Sequence, residues 1–401
     1  MSGTEEQLPI SGFKAAAVQA GIRYQERLDL ALIYSETPAV AAGVFTTNTV
    51  KAASVLLDME RIRSGQAQAI LVNSGVANAC TGDLGMAAAR TTAAAAAQAL
   101  GIDEELVLVC STGVIGEQLP TAKIEQAVPA LVADLTPDGF DRVARAIMTT
   151  DTVPKTASRS AQIGGRQVSL LGLAKGAGMI MPNMATMLAF VATDCAISAP
   201  VLQTLLQPAV SLSFNAITID GDTSTNDTVL VLANGQAGNA PLHRADSADS
   251  LLFAALLTDL LQDLARQIVV DGEGATKLIT VRVRGAADSK QAEQAARTVA
   301  NSSLVKTAFF GEDANWGRII AALGRSGVSF DPLAVDIAFG DVLLVHQGIG
   351  LGREAEAAAT KALRRKEVVV DINLRAGAAS HEILTCDLSV DYVKINANYR
   401  S

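Results

Sequence analysis

The stretch from Gln68 to Gly116 constrains the fold of this chain more than any other. It opens with an apolar run that ends in a turn, QAILVNSG (Gln68–Gly75). An alanine-rich segment follows, LGMAAARTTAAAAAQALG (Leu84–Gly101), and a second apolar run closes it, LVLVCSTGVIG (Leu106–Gly116). Short apolar runs bounded by turn formers read as buried strands. Alanine is the best helix former, and Gly101 suits the left-handed residue that ends a helix. Strand, helix and strand in this order is an α/β pattern. Residues 232–250 are rich in turn formers and read as an exposed loop, and a helix follows in LLFAALLTDLLQDLARQIVVDGEG. After KLITVRVRGAADS (Lys277–Ser289) the charge density rises, as in EAEAAATKALRRK, which places a domain boundary near residue 280.

With 401 residues the chain is too long for one ordinary core. Apolar residues make up 49% and charged ones 18%, a balance that buries well and excludes disorder. The formal charge of −9 argues against a nucleic-acid partner. The amino-terminal MSGTEEQLPISGFK lacks the basic patch and apolar run of a signal peptide. No uninterrupted apolar run reaches the ~18 residues that suggest a membrane span. Cys80, Cys110, Cys195 and Cys386 form no CxxC pair, so a reduced, cytoplasmic chain with buried thiols is expected.

Several chemistries can be weighed from residue spacing. Gly348, Gly350 and Gly352 sit in a strand-turn-helix-strand pattern with Asp371 beyond, but Arg353 falls where a dinucleotide-binding turn needs its third glycine. The run TIDGDTSTNDT, with Asp220, Asp222 and Asp227, lacks the spacing of a calcium loop and reads as a polar, hydrogen-bonded turn; no metal is expected. With His243, His346 and His381 as the only histidines and no GxSxG, a serine triad is disfavoured. A nucleophile that carries its own base remains. The segment MIMPNMATMLAF (Met179–Phe190) holds four of the eight methionines around one threonine, Thr186, and LAKGAG (Leu173–Gly178) precedes it. A threonine freed as a new amino terminus uses its α-amine, which titrates near ~8, to take the hydroxyl proton. Residue chemistry alone leaves this open beside a plainer reading, a buried threonine on a methionine-rich core strand.

KGAGMIMPNMATML (Lys175–Leu188) resembles the cleavage signature of the ornithine acetyltransferase (glutamate N-acetyltransferase) family. The resemblance runs over nearly the whole chain, through NSGVANACTG (Asn73–Gly82), STGVIG (Ser111–Gly116), MTTDTVPK (Met148–Lys155), FNAITIDGDTSTNDT (Phe214–Thr228), DGEGATK (Asp271–Lys277), ANWGRI (Ala314–Ile319) and CDLSVDYVKINANYRS (Cys386–Ser401). The family usually has asparagine where Val76 stands, so a hydrogen bond near the site is expected to be missing.

The resemblance implies a four-layer αββα core, of the ornithine acetyltransferase and β-peptidyl aminopeptidase type, with a smaller C-terminal α/β domain. It implies self-cleavage between Ala185 and Thr186. Residues 1–185 would form the α chain and first half of the core, 186–280 its second half, 281–385 the smaller domain, and 386–401 a tail returning to the site. By the same resemblance Thr186 is the nucleophile, and Thr112 and Gly113 stabilise the oxyanion. Thr152, Lys175, Thr186, Glu273, Asn396 and Ser401 would line the substrate pocket. The implied reaction moves an acetyl group from N2-acetylornithine to glutamate through acetyl-Thr186. It needs no cofactor, and acetyl-CoA is left open as a second donor. The implied assembly is an α2β2 heterotetramer in the cytoplasm. The alternatives are an amidase or β-peptidyl aminopeptidase of the same fold, and an uncleaved binding protein.

Overall fold

The computed structural model describes residues 10–181 and 187–398. They divide into two compact units, 10–181, 187–215 and 222–268 in the first, and 216–221 with 269–398 in the second.

The first unit contains β1 (Phe13–Val18), β2 (Leu30–Phe45), β3 (Gln66–Val76), β4 (Val107–Val114), β5 (Lys155–Ile163), β6 (Arg166–Lys175) and β7 (Leu188–Thr193). The two-residue β8 (Ile217–Thr218) belongs to the second unit, and β9 (Thr228–Ala233) returns to the first. Its strands are hydrogen-bonded in the order β4-β3-β2-β9-β7-β6-β5, with β1 also on β2. β2 organises this unit. Its first half pairs with β1 and β3, its second half with β9, and the register with β3 shifts between Tyr34 and Ala39. The shift marks a bulge, which bends a strand and lets it serve two layers.

Side-chain alternation shows the consequence. Ala31, Ile33, Ile70, Val72, Leu108 and Cys110 share one buried cluster with Leu171, Leu173, Phe190, Leu230 and Leu232 from the other half of the strand set. The intervening Leu30, Leu32, Ala69, Leu71, Val107 and Val109 face the opposite way. They pack with α2 (Gly82–Leu100) and α3 (Thr121–Ala133), helices that follow α1 (Ala53–Arg61). α2 buries Gly85, Ala88, Ala89, Thr92, Ala93, Ala96 and Ala97, one helical stripe, and ends at Gly101 with φ +70°. After α4 (Phe140–Ala146) come α5 (Ala199–Ser211) and α6 (Ala248–Val270). Leu260 and Leu264 of α6 lie on Gly172 of β6, where a Cβ would come within 2.6 Å of Leu260. Helices, strands, strands and helices therefore stack in the expected αββα order. Each fully buried leucine or phenylalanine in the middle contributes about 1.5–3 kcal/mol.

The second unit holds β10 (Leu278–Ala286), β11 (Asp336–Phe339), β12 (Val342–His346), β13 (Ile349–Gly350), β14 (Glu367–Asn373) and β15 (Ala379–Cys386), in the order β13-β12-β11-β14-β10-β15-β8. Its helices are α7 (Ser289–Ala300), α8 (Ser303–Phe310), α9 (Trp316–Gly324), α10 (Arg353–Leu363) and α11 (Val390–Asn398). Ala292, Ala295, Ala296 and Val299 of α7 share a cluster with Ile279, Val281 and Val283 of β10. This unit starts at Val269 and gathers residues 216–221, whereas residue 280, the boundary read from texture, lies inside β10. Gly348–Gly352 forms part of the β12–β13 hairpin and the start of α10. Asp371 is ion-paired with Arg284 (2.7 Å), which leaves nothing of a dinucleotide turn there.

Candidate active site

The ends of β3 and β4 lie side by side because the strands are parallel neighbours. Asn73 locks them. Its Nδ2 donates to the Val76 carbonyl (2.9 Å), and its Oδ1 accepts from Ser111 Oγ (2.7 Å). Gly113 has φ +130°, and a Cβ there would lie 2.2 Å from the Gly75 carbonyl carbon, so glycine alone fits. Asn226, just before β9, donates from Nδ2 to the carbonyls of Ala77 and Ser111, both at 2.7 Å. These bonds fix the backbone on either side of Thr112, which is itself buried.

Lys175 ends β6 at 4% exposure. Its Nζ donates to Thr149 Oγ1 (2.8 Å) and Thr112 Oγ1 (3.3 Å). An ammonium has no acceptor. Thr112 therefore receives at its oxygen, and its own proton is left to point elsewhere. A hydroxyl held this way, next to the Gly113 N–H, is suited to a developing oxyanion.

Asp151 backs this arrangement. Its Oδ1 accepts from Lys155 Nζ (2.7 Å) and from the Gly176 N–H (2.6 Å), and its Oδ2 from the Thr149 N–H (3.0 Å). Both side chains of the Lys155–Asp151 pair are fully buried. Burial alone would raise the Asp151 pKa, but Lys175 and Lys155, with the Gly176 N–H, pull it down to about 2. Both lysines thus act on this one carboxylate.

Met187, at the threshold of β7, is held twice. Its N–H donates to Asp227 Oδ1 (2.6 Å), and its carbonyl accepts from the Thr228 N–H (3.1 Å). Asp227 is 2% exposed. Burial pushes its carboxyl well above the usual range, against the Met187 N–H and the charge of Lys175.

In the second unit Glu273 is buried in the turn between α6 and β10, and its Oε2 accepts from Asn396 Nδ2 (2.7 Å) on α11. The turn fits closely against α11. Gly274 has φ +68°, a Cβ there would lie 2.5 Å from the Tyr392 nitrogen, and Ser389 Oγ donates to the Gly274 carbonyl (2.6 Å).

Within the first unit the structure gathers Thr112, Gly113 and Lys175, and within the second it joins Glu273 with Asn396. Thr152 is exposed, one residue from Asp151. Ala185, Thr186 and Ser401 lie outside the described residues. Thr149, Asp151, Lys155, Asn226 and Asp227 were given no role from sequence, although each falls inside a quoted motif. Val76 is buried among apolar residues of the α2–α3 face. The expectation that all thiols are buried fails at Cys80, which is exposed in a turn with φ +58°. Among the described residues no three His, Cys, Asp or Glu side chains are grouped to hold a metal ion, and no helix is long and apolar enough to cross a membrane.

The ArgJ family model matches residues 14–401. The arginine biosynthesis bifunctional protein ArgJ of Desulfotalea psychrophila is 58% identical over 394 residues, covering 98% of this chain and 100% of that one. Its namesake in Geobacter sulfurreducens is 54% identical over 392 residues, covering 98% and 100%. A crystal structure of the arginine biosynthesis bifunctional protein of Bacillus halodurans is 44% identical, with a TM-score of 0.50 over 52% of this chain and 98% of that one. The chain belongs to the ArgJ family.

Proposed function

We propose that this chain is a glutamate N-acetyltransferase of arginine biosynthesis. It moves an acetyl group from N2-acetylornithine to glutamate through an acetyl-Thr186 intermediate, after cutting itself between Ala185 and Thr186. The observation that carries the reading is the Lys175–Thr112–Gly113 arrangement, whose lysine stands eleven residues before Thr186 in sequence. In the precursor Thr186 Oγ attacks the Ala185 carbonyl, the tetrahedral oxygen takes the Thr112 hydroxyl and the Gly113 N–H, and water releases the ester. In the mature protein Thr186 Oγ attacks the acetyl carbonyl of N2-acetylornithine. The C–N bond breaks and ornithine leaves with the proton. The glutamate amine then attacks the acetyl ester and restores the Thr186 hydroxyl.

The charge of Lys175 favours both oxyanions and the carboxylates of these amino-acid substrates. Glu273, with Asn396, offers the opposite charge for a substrate ammonium, and Thr152 and Ser401 complete the substrate contacts. The crystal chain from Bacillus halodurans is 98% covered by only 52% of this chain, the length relation expected of a precursor that becomes two chains. The bifunctional names of the relatives support acetyl-CoA as a second donor. We further propose an α2β2 assembly in the cytoplasm. The test is acetyl transfer by purified protein. N-acetylglutamate formed from N2-acetylornithine and glutamate, with ping-pong kinetics, is the expected result. Release of free acetate with no dependence on glutamate would make it an amidase instead.

A further inference from the structure

Glu273 stands between two glycines, Gly272 and Gly274, in the run DGEGATK. Glycine leaves the backbone freer than any other residue, so this turn cannot hold a carboxylate in place by its own stiffness. The hold comes from the chain that follows β15. Asp387, 2% exposed, accepts at Oδ1 from the N–H groups of Thr276 (2.8 Å) and Lys277 (3.0 Å), and at Oδ2 from Thr276 Oγ1 (2.5 Å). Ser389 Oγ donates to the Gly274 carbonyl, and Asn396 Nδ2 donates to Glu273 itself. Residues 387–396 therefore grip the turn at its end, at its middle and at its carboxylate.

Asp387 is in turn anchored by its own neighbours. Leu278 and Cys386 are partners across β10 and β15, so Lys277 and Asp387 lie just beyond the same end of that pairing. The buried Lys306 of α8 donates from Nζ to Thr385 Oγ1 (2.9 Å) and to the Cys386 carbonyl, and its own carbonyl accepts from the Leu388 N–H (3.2 Å). The backbone is thus fixed on both sides of Asp387. The α-nitrogen of N2-acetylornithine is an amide, so its one cationic group is the side-chain ammonium. A carboxylate binds that group well only from a fixed place.

We propose that Asp387 is a positioning residue for substrate recognition: through Thr276 and Lys277 it sets where Glu273 presents its carboxylate to the substrate ammonium. This rests on the role given to Glu273 above.

The test is a double-mutant cycle on the purified protein: wild type, Asp387→Ala, Glu273→Gln and the double variant, with kcat and KM for N2-acetylornithine and Tm for each. Asp387→Ala should raise KM about tenfold with kcat within about threefold, because the ammonium contact is shared by ground and transition states. In the Glu273→Gln background the same substitution should change KM less than about twofold, since the carboxylate that Asp387 positions is already gone. Asp387→Asn, whose amide oxygen can still accept from both N–H groups, should recover most of the loss. Effects on KM that multiply in the double variant would overturn the proposal and leave Asp387 a cap of the turn, as would a lowered Tm with KM unmoved. Should Asp387→Ala fail to fold, Thr276→Val takes its place in the cycle. It removes only the hydroxyl contact, and a rise in KM of about threefold that disappears with Glu273→Gln is then expected, whereas an unmoved KM refutes the proposal. Wild-type kinetics in Glu273→Gln alone would instead remove the role of Glu273, and the proposal with it.

Discussion

Two sets of charges, one in each unit, sit in contrasting surroundings. In the first, Asp151, Lys155, Lys175 and Asp227 are all buried. In the second, the ion pairs of the central strands lie on an open face of the sheet: Arg284 with Asp371 (2.7 Å) and Arg282 with Glu382 (2.5 Å) involve half-exposed arginines. Solvated pairs cost little to make and contribute little, about 0–1 kcal/mol each. Buried charges carry a desolvation penalty of several kcal/mol each, and a hydrophobic interior of similar volume is often no less stable. The first unit therefore holds a costly arrangement of buried charge, one member of which, Lys175, lies eleven residues before Thr186 in sequence. The second unit buries charges too, among them Lys306, Asp387 and Asp336 of β11, which pairs with Arg375 (2.6 Å), and Glu273 at a turn that meets α11.

Removing one partner from each kind of pair should give the largest contrast. Asp151→Ala strands Lys155 without its carboxylate and brings it into repulsion with Lys175, so a loss of about 3–5 kcal/mol is expected in urea unfolding. The pH dependence follows from the same group. Its folded pKa of about 2 lies below the ordinary 3.8, so its contribution is complete above pH ~4 and is lost as pH falls through about 2. A loss below 1 kcal/mol for Asp151→Ala would break the comparison.

Thr112→Ala should come next. It removes a donor from both tetrahedral oxyanions, and one such donor is worth ~10²–10³ in rate, or about 3–4 kcal/mol. Cleavage and acetyl transfer should slow together while thermal stability holds, and Thr112→Ser should recover much of the loss. A change in KM alone would show that Thr112 only lines the pocket.

Glu273→Gln should leave cleavage untouched and lower transfer from N2-acetylornithine tenfold or more, the scale of a charged hydrogen bond at ~1.5–3 kcal/mol. Unaltered transfer would return Glu273 to a packing role with Asn396. The smallest effect is expected of Arg284→Ala, under about 1 kcal/mol in unfolding with unchanged transfer. A larger loss would mean that the open sheet face is less solvated than its exposure indicates.

How far the sequence revealed these features depended on how local each one is. The strands at Gln66–Val76 and Val107–Val114 and the alanine helix between them were legible because burial writes apolar runs and alanine stripes directly into the chain. The bend of β2 was not, since it depends on which strands pair with each half. Nor was the second unit's claim on residues 216–221, because β8 pairs with β15 from far along the chain. Thr112, Gly113 and Lys175 stood in recognisable motifs. Asp151 and Lys155 stood in one as well, but four residues apart off any helix their pairing has no periodic signature. Asp227 looked like a member of a polar turn, and only its burial and its bond to Met187 distinguish it.

The central claim is that Thr186 acts as a nucleophile on its own chain, and intact mass spectrometry of freshly purified protein tests it most directly. The expected result is two fragments of 185 and 216 residues (401 − 185), the second beginning with Thr186, and a single uncut chain for Thr186→Ala. A wild-type chain that stays whole, or a second fragment that begins at any other residue, would contradict it.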